Sequence, residues 1–319
     1  MPKENYLNIN LDKKCKLDLD NIISGKFLGL SRNVRQINSL FSRICKTYGN
    51  DKSKLLETIK IVSDYLVVTR VKNTPSIKNA IDLIFVESKS YNDLDVNEIS
   101  KHIISRTDQL NKDSILNADK IASYGAKLLE KSKLILAFDY SSSVINVLSK
   151  LAENKNIATI IVPESRILNG GFPIANEVIK MGHKVEFIFD MAFCEKIKDT
   201  DAVLIGAESF DINGDCWNTI GSYPISLVAS NFKVPVYVPT EFIKFNYKSL
   251  KNIEKEIIPD NYKDAFDISK AVRNSNNISF FCKELEKVPA KYLKYYITPI
   301  GNITPGKLDI EINKYYNIS

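Results

Sequence analysis

Histidine is scarce. Two in 319 residues, His102 and His183, leave little room for chemistry that leans on several imidazoles, whether a histidine-rich metal centre or a proton relay. Both are expected to be structural or solvent-facing. Cysteine is sparse too. Cys15, Cys45, Cys194, Cys216 and Cys282 are an odd, scattered set without a Cys-x-x-Cys pair, which argues against a zinc site or a disulfide framework. Most are expected to be ordinary buried thiols, and no metal or cofactor is expected. No apolar run reaches the roughly 18 residues needed to cross a bilayer, so no membrane span or membrane partner is expected. The start, MPKENYLNINLDKKCK, lacks the apolar stretch of a secretory signal and carries both charge signs, pointing to a cytoplasmic protein. Nor is there a concentrated basic stripe interleaved with aromatics. The net charge of +6 is spread over lysines that alternate with acids, as in NKDSILNADK and KNIEKEIIPD, so nucleic acid is not the expected partner and a small anion suits the mild excess.

What remains is a globular composition, 44% hydrophobic and 26% charged, in a chain long enough to bury a core without staples. From Asn21 to about Leu129 apolar residues recur at helical spacing: Ile37, Leu40, Phe41 and Ile44, then Leu55, Ile59, Val62 and Leu66. Pro75, SKSYNDLD and NKDS punctuate what reads as four or five helices. After Lys133 the pattern changes to short apolar runs, LILAFD, ATIIVPE, KVEFIFD, AVLIGAE and VPVYVPT, separated by helix-length segments such as SSVINVLSKLAEN and PIANEVIKMG. Continuous apolar strands are what a parallel sheet covered on both faces requires. The expected fold is therefore α/β: a helical N-terminal domain over 1–130, then a doubly wound, Rossmann-like parallel sheet domain over 131–319.

Each strand ends in a polar side chain: Asp139, Glu164, Asp190, Glu208, and Thr240 with Glu241. Open α/β sheets bind ligands outside the carboxyl ends of their strands, so these residues converge on one rim. Some could simply cap the next helix, the reading preferred for Asp190 but not for Glu208. Ser141, Ser142 and Ser143 stand where a strand turns into a helix, whose backbone N–H groups and dipole suit a phosphate; a plain cap is the competing reading. Gly170 and Gly171, after PESRIL, permit close backbone approach. Arg166 offers a bidentate fork to oxygens, or an ion pair with Glu164 or Glu177. GAESFDINGDCWNTIGSYP combines Glu208 with a polar turn, Asp211 to Asp215, and a glycine turn at Gly221, the chemistry of a binding loop. Lys244 in TEFIKF is a candidate point charge for phosphate. Cys216 could be a displaced nucleophile, a reading outweighed by the inertness of most unpaired thiols.

In order, LILAFDYSSSVINVL, IIVPESRILNGG, VEFIFDMAF, DAVLIGAESFDINGDCWNTIGS, VPVYVPTEFIKF and YYITPIGNITPGKL resemble the translation initiation factor 2B alpha/beta/delta family. That family includes methylthioribose-1-phosphate isomerase and ribose-1,5-bisphosphate isomerase. The resemblance covers Leu134 to Leu308, and more loosely VVTRVKNTPSIKNAI. It implies a homodimer that binds a phosphorylated sugar or nucleotide. In the isomerase branches, a cysteine after the first of these strands and the aspartate of a Gly-Ala-Asp motif carry the proton chemistry; the matching positions here are Asp139 and Glu208. The lysine of the family's Asn-Lys-Ile-Gly segment is Thr219, beside Asn218, and the isomerases' glutamine falls near Gly170. Gly-Ala-Glu, Tyr140 with Ser141, and Lys244 with Phe245 are more similar to the non-catalytic alpha subunit. Two readings follow. One is an aldose–ketose isomerase of sugar phosphates in which Asp139 and Glu208 form an altered acid–base pair; the other is a regulatory protein that senses the ligand without turnover.

Overall fold

The computed structural model describes residues 11–24, 29–70, 75–86, 91–246, 275, 277–279, 281 and 283–316. Cys282, residues 71–74 of the VVTRVKNTPSIKNAI segment and all of KNIEKEIIPD lie outside them. The chain divides into two compact units, residues 1–118 with 243–245, and residues 119–242 with 246–319.

The first unit is helical: α1 (Lys13–Ile23), α2 (Leu30–Tyr48), α3 (Lys52–Arg70), α4 (Pro75–Ile84) and α5 (Val96–Leu128), whose range crosses the division. The eight apolar residues singled out by their spacing are all buried in one cluster. Its helix α1 begins before the first periodicity noted, capped by Asp12, which accepts from Lys14 N (2.9 Å) and Cys15 N (3.4 Å). Asp95 and Glu98 form a reciprocal capping box at the start of α5: Asp95 Oδ1 accepts from Glu98 N (2.9 Å), while Glu98 Oε2 accepts from Asp95 N (2.9 Å).

The break expected at NKDS is absent, because residues 111–114 lie inside α5. Weak helix formers are held there by side-chain hydrogen bonds. Asn38 Nδ2 donates to Asn111 Oδ1 (2.8 Å), Arg35 Nη1 to Ser114 Oγ (3.3 Å), and Gln109 Nε2 to Asp113 Oδ1 (2.9 Å). Tertiary contacts here override local propensity.

The second unit is built on a seven-stranded sheet of β1 (Leu134–Phe138), β2 (Thr159–Pro163), β3 (Lys184–Ile188), β4 (Ala202–Ile205), β7 (Val236–Pro239), β9 (Tyr295–Thr298) and β10 (Gly301–Ile303). The order is β10-β9-β7-β4-β1-β2-β3; all neighbours are parallel except β10 with β9. The chain winds outward from β1 to β3, returns to β4 on the other side of β1, and winds outward again. A topological switch point therefore lies between β1 and β4. Both residue parities of the central strands are buried, Ile135 and Ala137 as well as Leu136 and Phe138. The strand β3 differs: KVEFI is exposed or half-buried throughout. Helices α6 (Ser142–Glu153), α7 (Gly171–Lys180), α8 (Phe193–Lys196), α9 (Ser222–Asn231) and α10 (Leu308–Tyr316) complete the unit.

The polar excursion after β4, read from sequence as a binding loop, is largely ordered as a second sheet of β5 (Ser209–Phe210), β6 (Cys216–Thr219) and β8 (Leu285–Val288), all antiparallel. Asp211 makes the hairpin turn by accepting from Asn213 N (2.9 Å) and Asp215 N (3.1 Å), with Gly214 at φ +76°.

Candidate functional site

The registers of β1 and β4 end side by side, with Phe138 opposite Ile205, so Asp139 and Gly206 leave the sheet together at the switch point. Asp139 is left-handed at φ +59° and 8% exposed. Ser165 Oγ donates to its Oδ1 (2.9 Å) and Thr219 Oγ1 to its Oδ2 (2.5 Å), while the backbone N–H of Tyr140 also reaches it. Burial pushes this carboxyl above the usual aspartate range; the two hydroxyls and Tyr140 N–H pull it back, and the charge of Asp190 adds to the rise. Gly170 sits so close that a Cβ there would overlap Asp139 Oδ1. One carboxylate thus ties together the loop after β1, the loop after β2, and β6.

The β2–α7 loop is braced from a second side. Asp190 accepts from Ser165 N (2.7 Å) and Arg166 N (2.8 Å), with Ser165 left-handed at φ +49°. The helix-capping role expected of Asp190 is not what it does: Phe189 holds the N-cap position of the short turn Asp190–Ala192 without a side-chain hydrogen bond, and the Asp190 carboxylate is turned to the backbone of the β2–α7 loop. The Arg166 side chain is exposed and lies 4.0 Å from Glu164 Oε2, which is one of the two ion pairs weighed from the sequence.

Three helix amino ends differ in how they are satisfied. Ser141 is the N-cap of α6, and no side chain caps this end, although Ser141, Ser142 and Ser143 are all there. Ser141 and Ser143 are buried, and Gly206 faces Ser141 closely: a Cβ on the glycine would lie 3.0 Å from Ser141 Cβ and 3.3 Å from Asn218 Oδ1. Gly170 and Gly171 begin α7, again without a side-chain cap, and a Cβ on Gly171 would overlap the Pro163 carbonyl. The amino end of α9 is filled. Glu286 Oε1 accepts from Gly221 N (2.6 Å) and Tyr223 N (2.7 Å), and burial raises this carboxyl above its ordinary range.

Asn218 donates from Nδ2 to Ser222 Oγ (2.9 Å), linking β6 to α9. Glu208, half-buried three residues beyond β4, opens the hairpin through its backbone N–H to the Trp217 carbonyl (2.8 Å). Asp139, Ser141, Gly170 and Asn218 are therefore gathered at the carboxyl edge of β1 and β4, and the backbone of Glu208 leaves the same edge. Lys244, in the turn Phe242–Lys244, is buried and falls in the first unit.

Cys216 is buried in β6 with Sγ 3.8 Å from the Gly206 carbonyl, the setting of a structural thiol. Cys15 and Cys45 are buried as well, whereas Cys194 is exposed. His183 is structural: Ala158 N donates to Nδ1 (3.1 Å), so Nε2 carries the hydrogen that faces the Leu148 carbonyl (2.9 Å). Among the described residues, no group of three His, Cys, Asp or Glu side chains could hold a metal, and no helix is long and apolar enough to cross a membrane.

Sequence reasoning did not assign roles to Ser165, Thr219 and Glu286. Ser165 lies in the quoted PESRIL run and Thr219 in the anomalous Asn-Thr pair, so both were visible without a partner. The residue Glu286 arrives only through the pairing of β8 with β6, where it stands opposite Asn218.

A helical amino-terminal region followed by a doubly wound, mostly parallel sheet with a buried acid at its switch point defines an α/β protein of the Rossmann-like class. More particularly, the chain belongs to the Initiation factor 2 subunit family, whose model matches residues 30–305. It is 29% identical over 221 residues to translation initiation factor eIF2B subunit alpha of Dictyostelium discoideum, covering 67% of this chain and 68% of that one. It is 26% identical over 216 residues to ribose 1,5-bisphosphate isomerase of Methanocaldococcus jannaschii, covering 68% and 69%. The same fold occurs in the translation initiation factor eIF-2B structure from Pyrococcus horikoshii OT3, with a TM-score of 0.76 at 20% identity over 93% of this chain and 99% of that one. It occurs also in 5-methylthioribose 1-phosphate isomerase from the same organism, with a TM-score of 0.73 at 19% identity over 96% and 88%.

Proposed function

We propose that this chain is a cytoplasmic protein that binds a phosphorylated sugar at the switch point of its parallel sheet, with the phosphate on the amino end of α6 at Ser141, Ser142 and Ser143. The observation that carries this reading is that α6 begins with three hydroxyls yet has no side-chain cap, beside the close-packed Gly206. Free N–H groups and the helix dipole favour an anion there. Gly170 and Gly171 allow the ligand near the backbone, Asn218 offers a polar edge, and Arg166 can exchange its Glu164 contact for a phosphate oxygen.

The state of Asp139 favours sensing over turnover. Both of its oxygens already accept hydroxyl hydrogens and Gly170 is pressed against it, so the carboxylate braces the rim instead of reaching a substrate carbon. The isomerase reading has one observation of its own: burial raises the Asp139 carboxyl, which would let it hold a proton while Glu208 acts as base.

The two readings separate in one experiment. The purified full chain is mixed with ribose 1,5-bisphosphate, methylthioribose 1-phosphate and inorganic phosphate, and followed by thermal shift and phosphorus NMR. A rise in the unfolding midpoint with unchanged sugar resonances supports sensing. New ketose resonances that vanish in Glu208→Gln support isomerisation. No stabilisation by any sugar phosphate overturns the binding proposal.

A further inference from the structure

Asparagine is followed by glycine twice in the chain, at Asn169–Gly170 in the β2–α7 loop and at Asn213–Gly214 in the β5–β6 hairpin. In such a pair the glycine nitrogen is a nucleophile held next to the asparagine side-chain amide: no side chain shields it, and the attack is intramolecular. The fold treats the two pairs differently. In the hairpin both residues are tied to Asp211: Gly214 N donates to its carbonyl (3.0 Å), Asn213 N donates to Oδ1 (2.9 Å), and Asn213 Nδ2 lies 3.5 Å from Oδ2. At the rim the reacting groups are free. Asn169 is exposed, and among the described residues neither its side-chain amide nor the Gly170 N–H has a hydrogen-bond partner. The backbone of Asn169 is left-handed at φ +51°, and the hydrogen bond that its carbonyl accepts from Phe172 N is long at 3.3 Å. Ring closure at Asn169 has that one weak bond to break.

We propose that Asn169 is a self-modification site, whose deamidation to isoaspartate closes the amino end of α7 to other anions. Gly170 N attacks Asn169 Cγ; the N–Cγ bond forms, the Cγ–Nδ2 bond breaks, and Nδ2 leaves as ammonia with the proton from Gly170 N. Solvent water then opens the succinimide ring. Addition at Cγ gives aspartate, addition at the former backbone carbonyl gives isoaspartate, and neither step oxidises or reduces the chain. In isoaspartate the main chain runs through Cγ and is one methylene longer, immediately before the glycine that is pressed against Asp139 Oδ1. The former Asn169 carbonyl becomes a free carboxylate. That oxygen already accepts from Phe172 N, so a full negative charge arrives at a helix end that has no side-chain cap. Glu286 shows the same arrangement at α9, where a carboxylate takes two backbone N–H groups. The modified rim keeps one open helix end, that of α6. The closing of α7 to anions rests on the ligand reading above; the conversion of Asn169 does not.

The test is to age the folded full chain at physiological temperature in mildly alkaline buffer and follow it by tryptic peptide mapping with tandem mass spectrometry. Trypsin cuts after Arg166 and Lys180, so Asn169 is read on the peptide 167–180. Asn169 should gain the mass difference between an amide NH₂ and an OH and split into separable aspartate and isoaspartate forms. Asn213 has two more hydrogen bonds to break, so its conversion should be slower by about tenfold or more. An Asn169 that stays an amide, or that converts no faster than Asn213, overturns the proposal. The consequence is read by thermal shift with inorganic phosphate. Aged wild type should lose much of the stabilisation that phosphate gives the fresh protein, while Asn169→Gly, which suits the left-handed turn and carries no amide, should keep it through the same treatment. Equal loss in both chains overturns the closing of α7. A fresh wild type that phosphate does not stabilise sinks the ligand reading instead, and the conversion is then decided by the peptide masses.

Discussion

Thr219→Val is the most direct probe of the rim. The substitution keeps the shape of a side chain that is 4% exposed and removes only the hydroxyl that donates to Asp139 Oδ2. No cavity opens, so the cost is that of withdrawing one hydrogen bond from a buried charged group, about 1.5–3 kcal/mol. This corresponds to about 2–4 °C in the unfolding midpoint per kcal/mol for a unit of this size. The cost should depend on pH with a definite sign. Burial raises the folded-state pKa of Asp139 above its unfolded value, so the folded protein holds this proton more tightly. The associated stability is fully present below the ordinary aspartate value and is lost as pH rises through the raised one. Removing the hydroxyl takes away an influence that lowers this pKa, so it extends that loss to higher pH and makes the penalty larger where the carboxylate is ionised. Urea unfolding of the wild type and Thr219→Val at about pH 5 and about pH 8 measures it. In an Asp139→Asn background, the Thr219→Val penalty should shrink to about 1 kcal/mol, that of a neutral hydrogen bond, and lose its pH dependence. A penalty below about 0.5 kcal/mol at both pH values would refute the role of Asp139 as a charged brace.

Gly221→Ala should destabilise by about 3 kcal/mol or more, since the residue sits at φ +109° and its new Cβ would lie 2.5 Å from Phe138 Cζ in the core; the thermal midpoint reports it. His183→Ala should lower stability by about 2–4 kcal/mol in denaturant unfolding by stranding Ala158 N–H and the Leu148 carbonyl, and a loss under about 0.5 kcal/mol would contradict the structural assignment of this histidine.

The legible parts of the fold were those written in short-range pattern. The octet from Ile37 to Leu66 marked the core of the helical unit because one face of a helix repeats within the sequence itself. Continuous apolar runs marked the parallel strands, and the carboxyl-end rule set Asp139 and the loops that carry Ser141 and Gly170 at one edge before any pairing was known, whereas Asn218 entered only through the family resemblance. What stayed hidden depended on partners distant in the chain. The NKDS stretch reads as a breaker until Asn38 and Arg35 on another helix satisfy it. KVEFIFD reads as a buried strand because its composition is apolar, and only the strand order places it at the edge. Glu286 carries no local signal, since its role exists only once β8 lies against β6.

The brace around Asp139 also constrains how this family member can change. Its two hydroxyl partners come from positions 26 and 80 residues downstream, and the fourth participant, Gly170, is fixed only by the room the carboxylate occupies. None of the four has a reason to persist if the acid is lost. Across a set of homologous sequences, positions 139, 165, 170 and 219 should therefore vary as one block: chains with a small or uncharged residue at the first position are free to abandon both hydroxyls and to tolerate a side chain where the glycine stands.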